Sequence, residues 1–369
     1  MRKILTGLWW LICRLMPVKK NKIVVSSYYG RGYSDSPKAI VDALLKTSPE
    51  LDIVWLTNDV AGLPDKVRAC PYDSLGRIYH LSTAKVWIDN CRKGSRFKKK
   101  SQIYLQTWHG FALKRIEKDV VDKLGDPNYE AYARRDSAQC DLIVSNSAHM
   151  TKIYRESFWY SGEIAEFGSP RNDVLFTENG CGRKVREALG IPAESRLVLY
   201  APTFRADHSL APYRLDAPEV TAALARRFGG NWVFVTRLHP NIAKLAGELK
   251  YEGAVDATMY PDIQELLAAA DAVISDYSSL MFDFALTGRP CFQFASDIED
   301  YKKDRNFYIP LTRLPFPLGS SSEELCAGIS EFDSEKYSGA WKKFSADYGF
   351  KEDGHAARRC AEWIIKKIK

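Results

Sequence analysis

The chain of 369 residues is long enough for two domains, each with its own hydrophobic core. Hydrophobic residues make up 46% and charged residues 27%, which is typical of a globular protein and excludes a long disordered tail. The net charge of +7 favours an anionic ligand or an anionic membrane surface and gives no specific indication of nucleic acid. The cysteines show no C-x-x-C spacing, so neither a zinc site nor a disulfide framework is predicted. We interpret them as reduced thiols of a cytosolic protein.

The first twenty residues contain an apolar segment, residues 4–13, between basic residues. The segment is too short to span a bilayer, which needs about 20 residues, and no small-residue cleavage site of a secretory signal follows it. The adjacent Trp9 and Trp10 are typical of a helix in the membrane interface. We therefore predict an amphipathic membrane-interface helix over residues 1–20. A helix docked on the protein's own core is the alternative.

Short apolar strands alternate with helices and loops through the first half of the chain, which predicts a doubly wound parallel sheet. The predicted strands are residues 22–27, 53–56, 84–88, 103–105 and 142–144. The loop after the first strand contains Gly30-Arg31-Gly32, which lacks the third glycine of a dinucleotide fingerprint and is followed by Asp35. A polar break at residues 177–182 predicts the domain boundary. We assign residues 21–180 to an N-terminal domain and 181–369 to a C-terminal domain, whose last helix is placed to pack back on the first.

His109 has the most favourable position of the six histidines for catalysis. It follows the predicted strand 103–105, and open α/β sheets hold ligands and catalytic groups at the carboxyl ends of their strands. An imidazole titrates near neutral pH and accepts a proton from a hydroxyl nucleophile. We predict that His109 is a general base. The alternative is a histidine that only hydrogen-bonds its own loop.

Three predicted strands of the second half end in groups that bind anions. They lead, in chain order, to Thr203 with Arg205, to Arg237 with His239, and to Ser275, Asp276, Ser278 and Ser279 before a helix at 280–286. Because such strand ends lie along one edge of a parallel sheet, we expect these groups to converge and bind a pyrophosphate without a metal. Asp283 is placed to accept from a ribose hydroxyl or to bond the preceding turn. Pairing of Arg237 with a structural carboxylate and simple helix capping by the serines are the alternatives.

Ordered motifs across residues 23–310 resemble the CDP-glycerol glycerophosphotransferases, the family of teichoic acid primases and polymerases. They are Trp108-His109-Gly110, Ser145-Asn146-Ser147, Gly168-Ser169-Pro170-Arg171-Asn172-Asp173, Tyr200-Ala201-Pro202-Thr203-Phe204-Arg205, Arg237-Leu238-His239-Pro240, Ser275-Asp276-Tyr277-Ser278-Ser279 with Phe282-Asp283, and Asp297 with Tyr301, Arg305 and Tyr308. The early segment 33–39 also looks like the family's first loop and helix. The resemblance implies a GT-B-like fold, in which two Rossmann-like domains face a cleft.

The resemblance also implies a reaction. An acceptor hydroxyl attacks the alditol-side phosphate of CDP-glycerol or a related donor such as CDP-ribitol, and CMP leaves. His109 would be the base on the acceptor side, together with Trp108, Gly110, Lys114 and Asp35. The donor would be bound by Arg237, catalytic His239 and the start of the 280–286 helix, with Arg305 near the alditol end. No cofactor and no obligatory divalent metal are expected.

The acceptor implied by the resemblance is a lipid-linked saccharide or a growing teichoic acid or capsule polymer. Such an acceptor would place the enzyme on the cytoplasmic face of the membrane as a peripheral protein. This sequence departs from the family at Phe111-Ala112, where Thr-Pro is usual, and at Asn306, where Gly is usual. The competing interpretations are a GT-B glycosyltransferase that uses a nucleotide sugar, a nucleotide-sugar 2-epimerase and a non-enzymatic nucleotide-binding protein. Glycerol and ribitol donors, and single or repeated transfer, fit the motifs equally.

Overall fold

The computed structural model describes residues 2–93, 98–123, 125–177, 180–205, 209–238, 249, 251–298, 301 and 306–369. The predicted His239 and Arg305 lie outside these residues. The described strands are β1 (Lys19–Val25), β2 (Asp52–Leu56), β3 (Arg68–Cys70), β4 (Ala84–Asp89), β5 (Ile103–Gln106), β6 (Leu142–Val144), β7 (Glu163–Ala165), β8 (Arg196–Tyr200), β9 (Trp232–Thr236), β10 (Val255–Asp256), β11 (Ala272–Ser275), β12 (Cys291–Phe294) and β13 (Leu318–Gly319).

The described α-helices are α1 (Arg2–Leu15), α2 (Asp35–Thr47), α3 (Leu75–Thr83), α4 (Tyr129–Gln139), α5 (Ala148–Ser157), α6 (Cys181–Leu189), α7 (Ala217–Phe228), α8 (Ile263–Ala269), α9 (Leu280–Ala285), α10 (Ser322–Ser330), α11 (Ser334–Tyr348) and α12 (Ala356–Ile368). The chain forms two compact units. The first takes in the described residues of 1–109, 116–173 and 349–369, and the second those of 110–115 and 174–348.

The first unit is built on a seven-stranded sheet with the order β3-β2-β1-β4-β5-β6-β7. Its recorded strand pairs are parallel, and Ile23 of β1 lies opposite both Ile53 of β2 and Val86 of β4. These three side chains are almost completely buried, as expected when helices cover both faces of a sheet. The strand order reverses direction between β1 and β4. This switch point is where open α/β sheets bind ligands.

The second unit is built on a six-stranded parallel sheet with the order β10-β9-β8-β11-β12-β13. Tyr200, at the end of β8, lies opposite Thr236 of β9 and Ile274 of β11. The order reverses between β8 and β11, so the loops after these two strands leave from the second switch point. Two α/β units with parallel sheets confirm the predicted fold class.

The limits of the two units differ from the sequence-based domain assignment. The division falls between Asp173 and Val174, earlier than the predicted boundary, and the segment Gly110–Arg115 belongs to the second unit. Residues 349–369 belong to the first unit, where Cys360, Ala361 and Ile364 of α12 join the hydrophobic core beside Ile40 and Leu44 of α2. Helix α12, which lies near the C-terminus, therefore covers one face of the first sheet.

Helix α1 shows features of both interpretations of the N-terminal segment. Cys13 is buried, and the indole Nε1 of Trp9 donates to the carbonyl oxygen of Leu75 in α3 at 3.0 Å, so one face docks on the first unit. The other face exposes an apolar stripe at i, i+3, i+4 and i+7, formed by Leu8, Leu11, Ile12 and Leu15. None of the described helices combines the length and the hydropathy of a membrane-spanning segment.

Candidate functional site

His109 lies just beyond β5, and its ring orientation is set by the backbone. The ring atom Nδ1 is 2.6 Å from the carbonyl oxygen of Asn90, in the loop after β4. A carbonyl oxygen only accepts hydrogen bonds, so Nδ1 carries the proton and the lone pair lies on Nε2. The indole of Trp108 stacks on the imidazole, with ring centroids 4.4 Å apart and planes 26° apart. The imidazole is thus held in the tautomer that a general base requires.

The surroundings of His109 keep it neutral at physiological pH. Burial lowers the pKa of His109, while the hydrogen bond to Asn90 and the negative charge of Asp35 oppose that shift. A neutral imidazole is the form that accepts a proton from a hydroxyl group. The electrostatics of the first unit therefore agree with the role predicted for His109.

Asp35 is the first residue of α2 and the centre of a buried polar group. Its Oδ2 accepts from the hydroxyl of Tyr28 at 2.6 Å and from Nη1 of Arg171 at 3.0 Å, and its Oδ1 accepts from the Ser36 backbone N–H at 2.7 Å. Burial opposes ionisation, but Arg171, Tyr28 and Ser36 together hold the pKa of Asp35 below its usual value. The ring of Tyr28 lies 5.8 Å from that of His109. Asp35 is therefore a fixed negative charge behind the proposed base.

The chain passes from the first unit to the second directly after His109. Lys114 forms an antiparallel bridge with Phe307, and its Nζ donates to the hydroxyl of Tyr301 at 3.0 Å. Gly110 and Lys114, which the sequence assigned to the acceptor side, thus lie in the unit that carries the predicted donor residues. The sequence does not predict this placement. It depends on the strand-like pairing of residues 110–115 with the segment around Phe307, and that pairing has no signature in the sequence.

The two departures from the family pattern have structural roles here. Phe111 is buried, with its ring 4.5 Å from that of Phe282 in α9. The carbonyl oxygen of Asn306 accepts from the backbone N–H of Arg115 at 2.8 Å. Both residues therefore attach the segment after His109 to the second unit.

Asp276 connects the loops that leave the second switch point. Its carboxylate accepts from the backbone N–H of Thr203 at 2.9 and 3.0 Å and from the Thr203 hydroxyl at 3.1 Å. It also pairs with Nη1 of Arg205 at 2.8 Å. The hydroxyl of Ser275 donates to the carbonyl oxygen of Ala201 at 2.6 Å. The structure thus brings together Thr203, Arg205, Ser275 and Asp276, and their mutual hydrogen bonds shape the loop after β8.

Arg205 is engaged on every side by the protein. Its Nε and Nη2 donate to the two carboxylate oxygens of Asp297 at 2.6 and 3.0 Å, and its Nη1 donates to the carbonyl oxygen of Thr203 at 2.7 Å. The guanidinium carbon lies 4.9 Å from the ring centroids of both Tyr277 and Tyr301. A guanidinium with these partners has little left to offer a phosphate. Arg205 therefore holds the loop after β8 in place, and its role in donor binding stays a prediction.

The remaining predicted donor residues that the structure describes follow β9 and β11 in the chain. Nη1 of Arg237 donates to the carbonyl oxygen of Tyr260. Asp283 is buried and accepts from Nε2 of Gln264 in α8 at 3.2 Å, which is neither of the two roles predicted for it, so both roles stay predictions. Ser278 and Ser279 are half-buried at the start of α9. Among the described residues the Ser279 side chain makes no capping bond, whereas Ser278 Oγ accepts from the Leu280 backbone N–H at 3.4 Å.

Four further residues belong to the site and were absent from the residues predicted for it. They are Tyr28 and Asn90 in the first unit and Asp297 and Tyr301 in the second. Tyr28 and Asn90 follow strands β1 and β4, so the rule that ligand groups follow strand ends marks their positions. Asp297 and Tyr301 occur in the family motifs, but their contacts with Arg205 join segments far apart in the chain. Only the folded structure shows those contacts.

Comparison with known proteins finds relatives among the enzymes of teichoic acid synthesis. The chain is 33% identical over 373 residues to the teichoic acid poly(glycerol phosphate) polymerase of Staphylococcus epidermidis, which covers 95% of this chain and 51% of that protein. It is 31% identical over 367 residues to the teichoic acid glycerol-phosphate transferase of Staphylococcus aureus, which covers 94% of this chain and 93% of that protein. The chain spans about half the length of the S. epidermidis polymerase and of its Bacillus subtilis counterpart.

A solved structure of a variant of the wall teichoic acid polymerase TagF, soaked with CDPG, has a TM-score of 0.85 at 30% sequence identity. The match covers 98% of this chain and 93% of that one. The family profile of CDP-Glycerol:Poly(glycerophosphate) glycerophosphotransferase matches residues 9–366. Because this match extends over nearly the whole chain, the chain belongs to the CDP-glycerol:poly(glycerophosphate) glycerophosphotransferase family.

Proposed function

We propose that this protein transfers glycerol phosphate from CDP-glycerol to a hydroxyl group of a lipid-linked acceptor and releases CMP, in the synthesis of a teichoic acid or capsule polymer. The observation that carries the proposal is the state of His109. The Asn90 carbonyl fixes its proton on Nδ1, and burial keeps the ring neutral. Membership of the family supplies the donor class, and the CDPG soaked into TagF supports it.

The chemical step is a displacement at phosphorus. Nε2 of His109 takes the proton of the acceptor hydroxyl, whose oxygen forms a bond to the glycerol-bearing phosphorus of the donor. The bond from that phosphorus to the bridging oxygen breaks, and CMP leaves with the electron pair. No atom changes its oxidation state in this step. Asp35, whose carboxylate stays ionised, stabilises the imidazolium that forms, and the positive charge of Arg171 opposes part of this effect.

Donor binding is assigned to the second unit. The half-buried Ser278 and Ser279, at the start of α9, offer hydroxyl groups and backbone N–H groups to a phosphate. Arg237 follows β9, which β8 separates from β11 in the sheet order, and adds positive charge at the same edge of the sheet. His239 and Arg305 complete the predicted donor set on the strength of the family motifs. Charge on the departing CMP is stabilised by these groups, so we propose that no divalent metal is required.

The apolar stripe of α1 supports attachment to a membrane. Leu8, Leu11, Ile12 and Leu15 are exposed, and Arg14 on the same helix is exposed as well. A helix with an exposed apolar stripe and basic residues lies in the interface of an anionic bilayer with its axis parallel to the surface. We assign the protein to the cytoplasmic face of the membrane as a peripheral protein, where a lipid-linked acceptor is within reach.

The first test measures the thermal stabilisation of the purified chain by CDP-glycerol, CDP-ribitol, CMP and UDP-N-acetylglucosamine, with and without EDTA. A ligand that binds only the folded state raises the melting temperature by mass action. We expect stabilisation by a CDP-alditol that EDTA leaves unchanged. Stabilisation by the UDP-sugar with no response to cytidine compounds would refute the proposal and favour the nucleotide-sugar glycosyltransferase.

The second test concerns the base. The His109→Ala variant should still be stabilised by CDP-glycerol, because the donor residues lie in the other unit, but should lose transfer to a lipid-linked acceptor by about 10²-fold or more. The matched control is His355→Ala, since His355 is exposed at the start of α12 and makes no capping bond with its side chain among the described residues. Transfer that survives in the His109→Ala variant would eliminate His109 as the base.

A further inference from the structure

An open groove of about 570 Å³ lies at the carboxyl edge of the first sheet, on the side of β1, β2 and β3. The loops after these three strands supply its walls. Its lining residues are Tyr29, Gly30, Arg31, Asn58, Asp59, Tyr72 and Asp73. A volume of this size is in the usual range for a small-molecule site. None of the roles assigned above uses this groove.

The walls of the groove are held rigidly by hydrogen bonds and close packing. Asn58 Oδ1 accepts from the backbone N–H of Tyr72 at 3.0 Å, and Asn58 Nδ2 donates to Asp73 Oδ2 at 3.1 Å. Gly30 has a φ of +87°, and a Cβ atom there would lie 2.6 Å from Cβ of Tyr72. The guanidinium carbon of Arg77 lies 4.3 Å from the centroid of the Tyr72 ring. The groove is therefore preformed, which reduces the entropic cost of binding a ligand.

The groups in the groove match the chemistry of an uncharged saccharide. The Tyr29 side chain is half-exposed and offers an aromatic surface for the apolar C–H face of a pyranose ring. The carboxylates of Asp59 and Asp73 accept hydrogen bonds from sugar hydroxyls. The two carboxylates face the guanidinium of Arg31 in the lining and that of Arg77 against the Tyr72 ring, so the groove has no excess positive charge to attract a chain of phosphodiesters. The groove thus favours a saccharide over a poly(glycerol phosphate) chain.

The position of the groove connects the proposed base with the exposed face of α1. Tyr28 contacts the His109 ring, and its neighbour Tyr29 lines the groove. On the opposite wall, Asp73 precedes the exposed Leu75 by two residues, and the carbonyl oxygen of Leu75 accepts the hydrogen bond from Trp9 of α1. The groove is therefore lined on one side by the neighbour of the residue that contacts His109 and on the other by a residue close to the contact with α1.

We propose that this groove is a subsite for an uncharged saccharide unit of the lipid-linked acceptor. This inference rests on the proposed function and adds to it the chemical class of the acceptor part that the first unit recognises. The saccharide nearest the lipid occupies the groove, and the hydroxyl that receives the alditol phosphate extends toward His109. The subsite accordingly contributes to acceptor affinity and leaves donor binding in the second unit unaffected.

The test compares two soluble probes on the full chain by isothermal titration calorimetry: the butyl glycoside of an N-acetylated disaccharide, and a butyl-capped hexamer of glycerol phosphate. The variants are Tyr29→Ala and Asp73→Asn. The controls are Tyr29→Phe, which keeps the ring, and Asp65→Asn, which removes an exposed carboxylate outside the groove. We expect each groove variant to weaken disaccharide binding about tenfold, while both controls bind like the wild type.

Three results would overturn the proposal: no disaccharide binding by the wild type, equal affinity in the groove variants and the wild type, or a loss confined to the glycerol phosphate hexamer. The last result would make the groove a site for the growing polymer. Thermal stabilisation by CDP-glycerol is measured on the same samples and reports folding as well as the donor site. If CDP-glycerol fails to stabilise the wild type, the proposed function fails. If CDP-glycerol stabilises every variant and disaccharide affinity is unchanged, only the groove proposal fails.

Discussion

The buried ion pair between Arg205 and Asp297 yields a sharp prediction, because the chain contains an exposed pair of the same chemistry. Asp297 accepts two hydrogen bonds from Arg205 and one from the Tyr277 hydroxyl, at 2.9 Å. The side chains of Arg205 and Asp297 are 6% and 16% exposed. In the exposed pair, Arg68 donates twice to Asp52, and these side chains are 55% and 27% exposed.

We predict that Asp297→Asn destabilises the second unit by about 3 kcal/mol. Removal of one partner of a buried ion pair costs about 3–5 kcal/mol, and we take the lower end because Asp276 still neutralises Arg205. For a unit of this size, about 3 kcal/mol lowers the melting temperature by about 6–12 °C. Asp52→Asn should cost less than about 1 kcal/mol, because solvent already screens that pair.

The assay is differential scanning fluorimetry of both variants, combined with hydrogen exchange of the segment after β8, since two units can unfold separately. Arg205 and Tyr277 hold the pKa of Asp297 below its usual value although burial opposes them. A carboxylate with a lowered pKa adds stability above its unfolded pKa of about 3.9, and this contribution is lost as the pH falls further. The difference between wild type and Asp297→Asn should therefore shrink below about pH 4. Equal effects of the two substitutions at pH 7 would refute the reasoning.

Burial lowers the pKa of His109, and the neutral ring is the active form, so the acid limb of kcat/KM for transfer should lie below pH 6.5; a limb above that value would contradict the assignment. Phe111→Ala should lower the free energy of unfolding of the second unit by about 3–5 kcal/mol and Phe111→Leu by less than about 1.5, because the ring packs on Phe282; equal urea midpoints would refute this. Gly30→Ala should destabilise the first unit more than Gly62→Ala, since both glycines have positive φ but only Gly30 is in steric contact; equal melting temperatures would count against it.

The sequence alone determined the fold class and the place of the two candidate sites. Strands β1, β4, β8 and β11 carry runs of apolar residues that are buried on both faces of the sheet, so each was visible without a partner. The strands β3, β7, β10 and β13 were missed, because each has two or three residues with a polar residue or glycine among them, whereas the three residues of the predicted β6 are all apolar. Pairing with a neighbouring strand defines them, and hydropathy does not.

Chemistry at strand ends was likewise predictable for side chains that act close to their own strand. His109 and Asp276 were identified from the sequence because each follows a strand by a few residues. The partner of the His109 ring was not predictable, since it is the backbone carbonyl of Asn90, and every residue type carries such a group. The ion pair that holds the Arg205 side chain in place requires Asp297, which lies 92 residues further along the chain.

Tertiary structure alone decided which unit each segment joins. Residues 110–115 leave the first unit because Phe111 and Lys114 pack on the aromatic residues of the second, and α12 returns to the first unit because its apolar face completes the core beside α2. Local sequence sets the tendency to form a strand or a helix and the chemistry that each strand end carries. The choice of partner depends on surfaces contributed by distant parts of the chain, which exist only after the chain has folded.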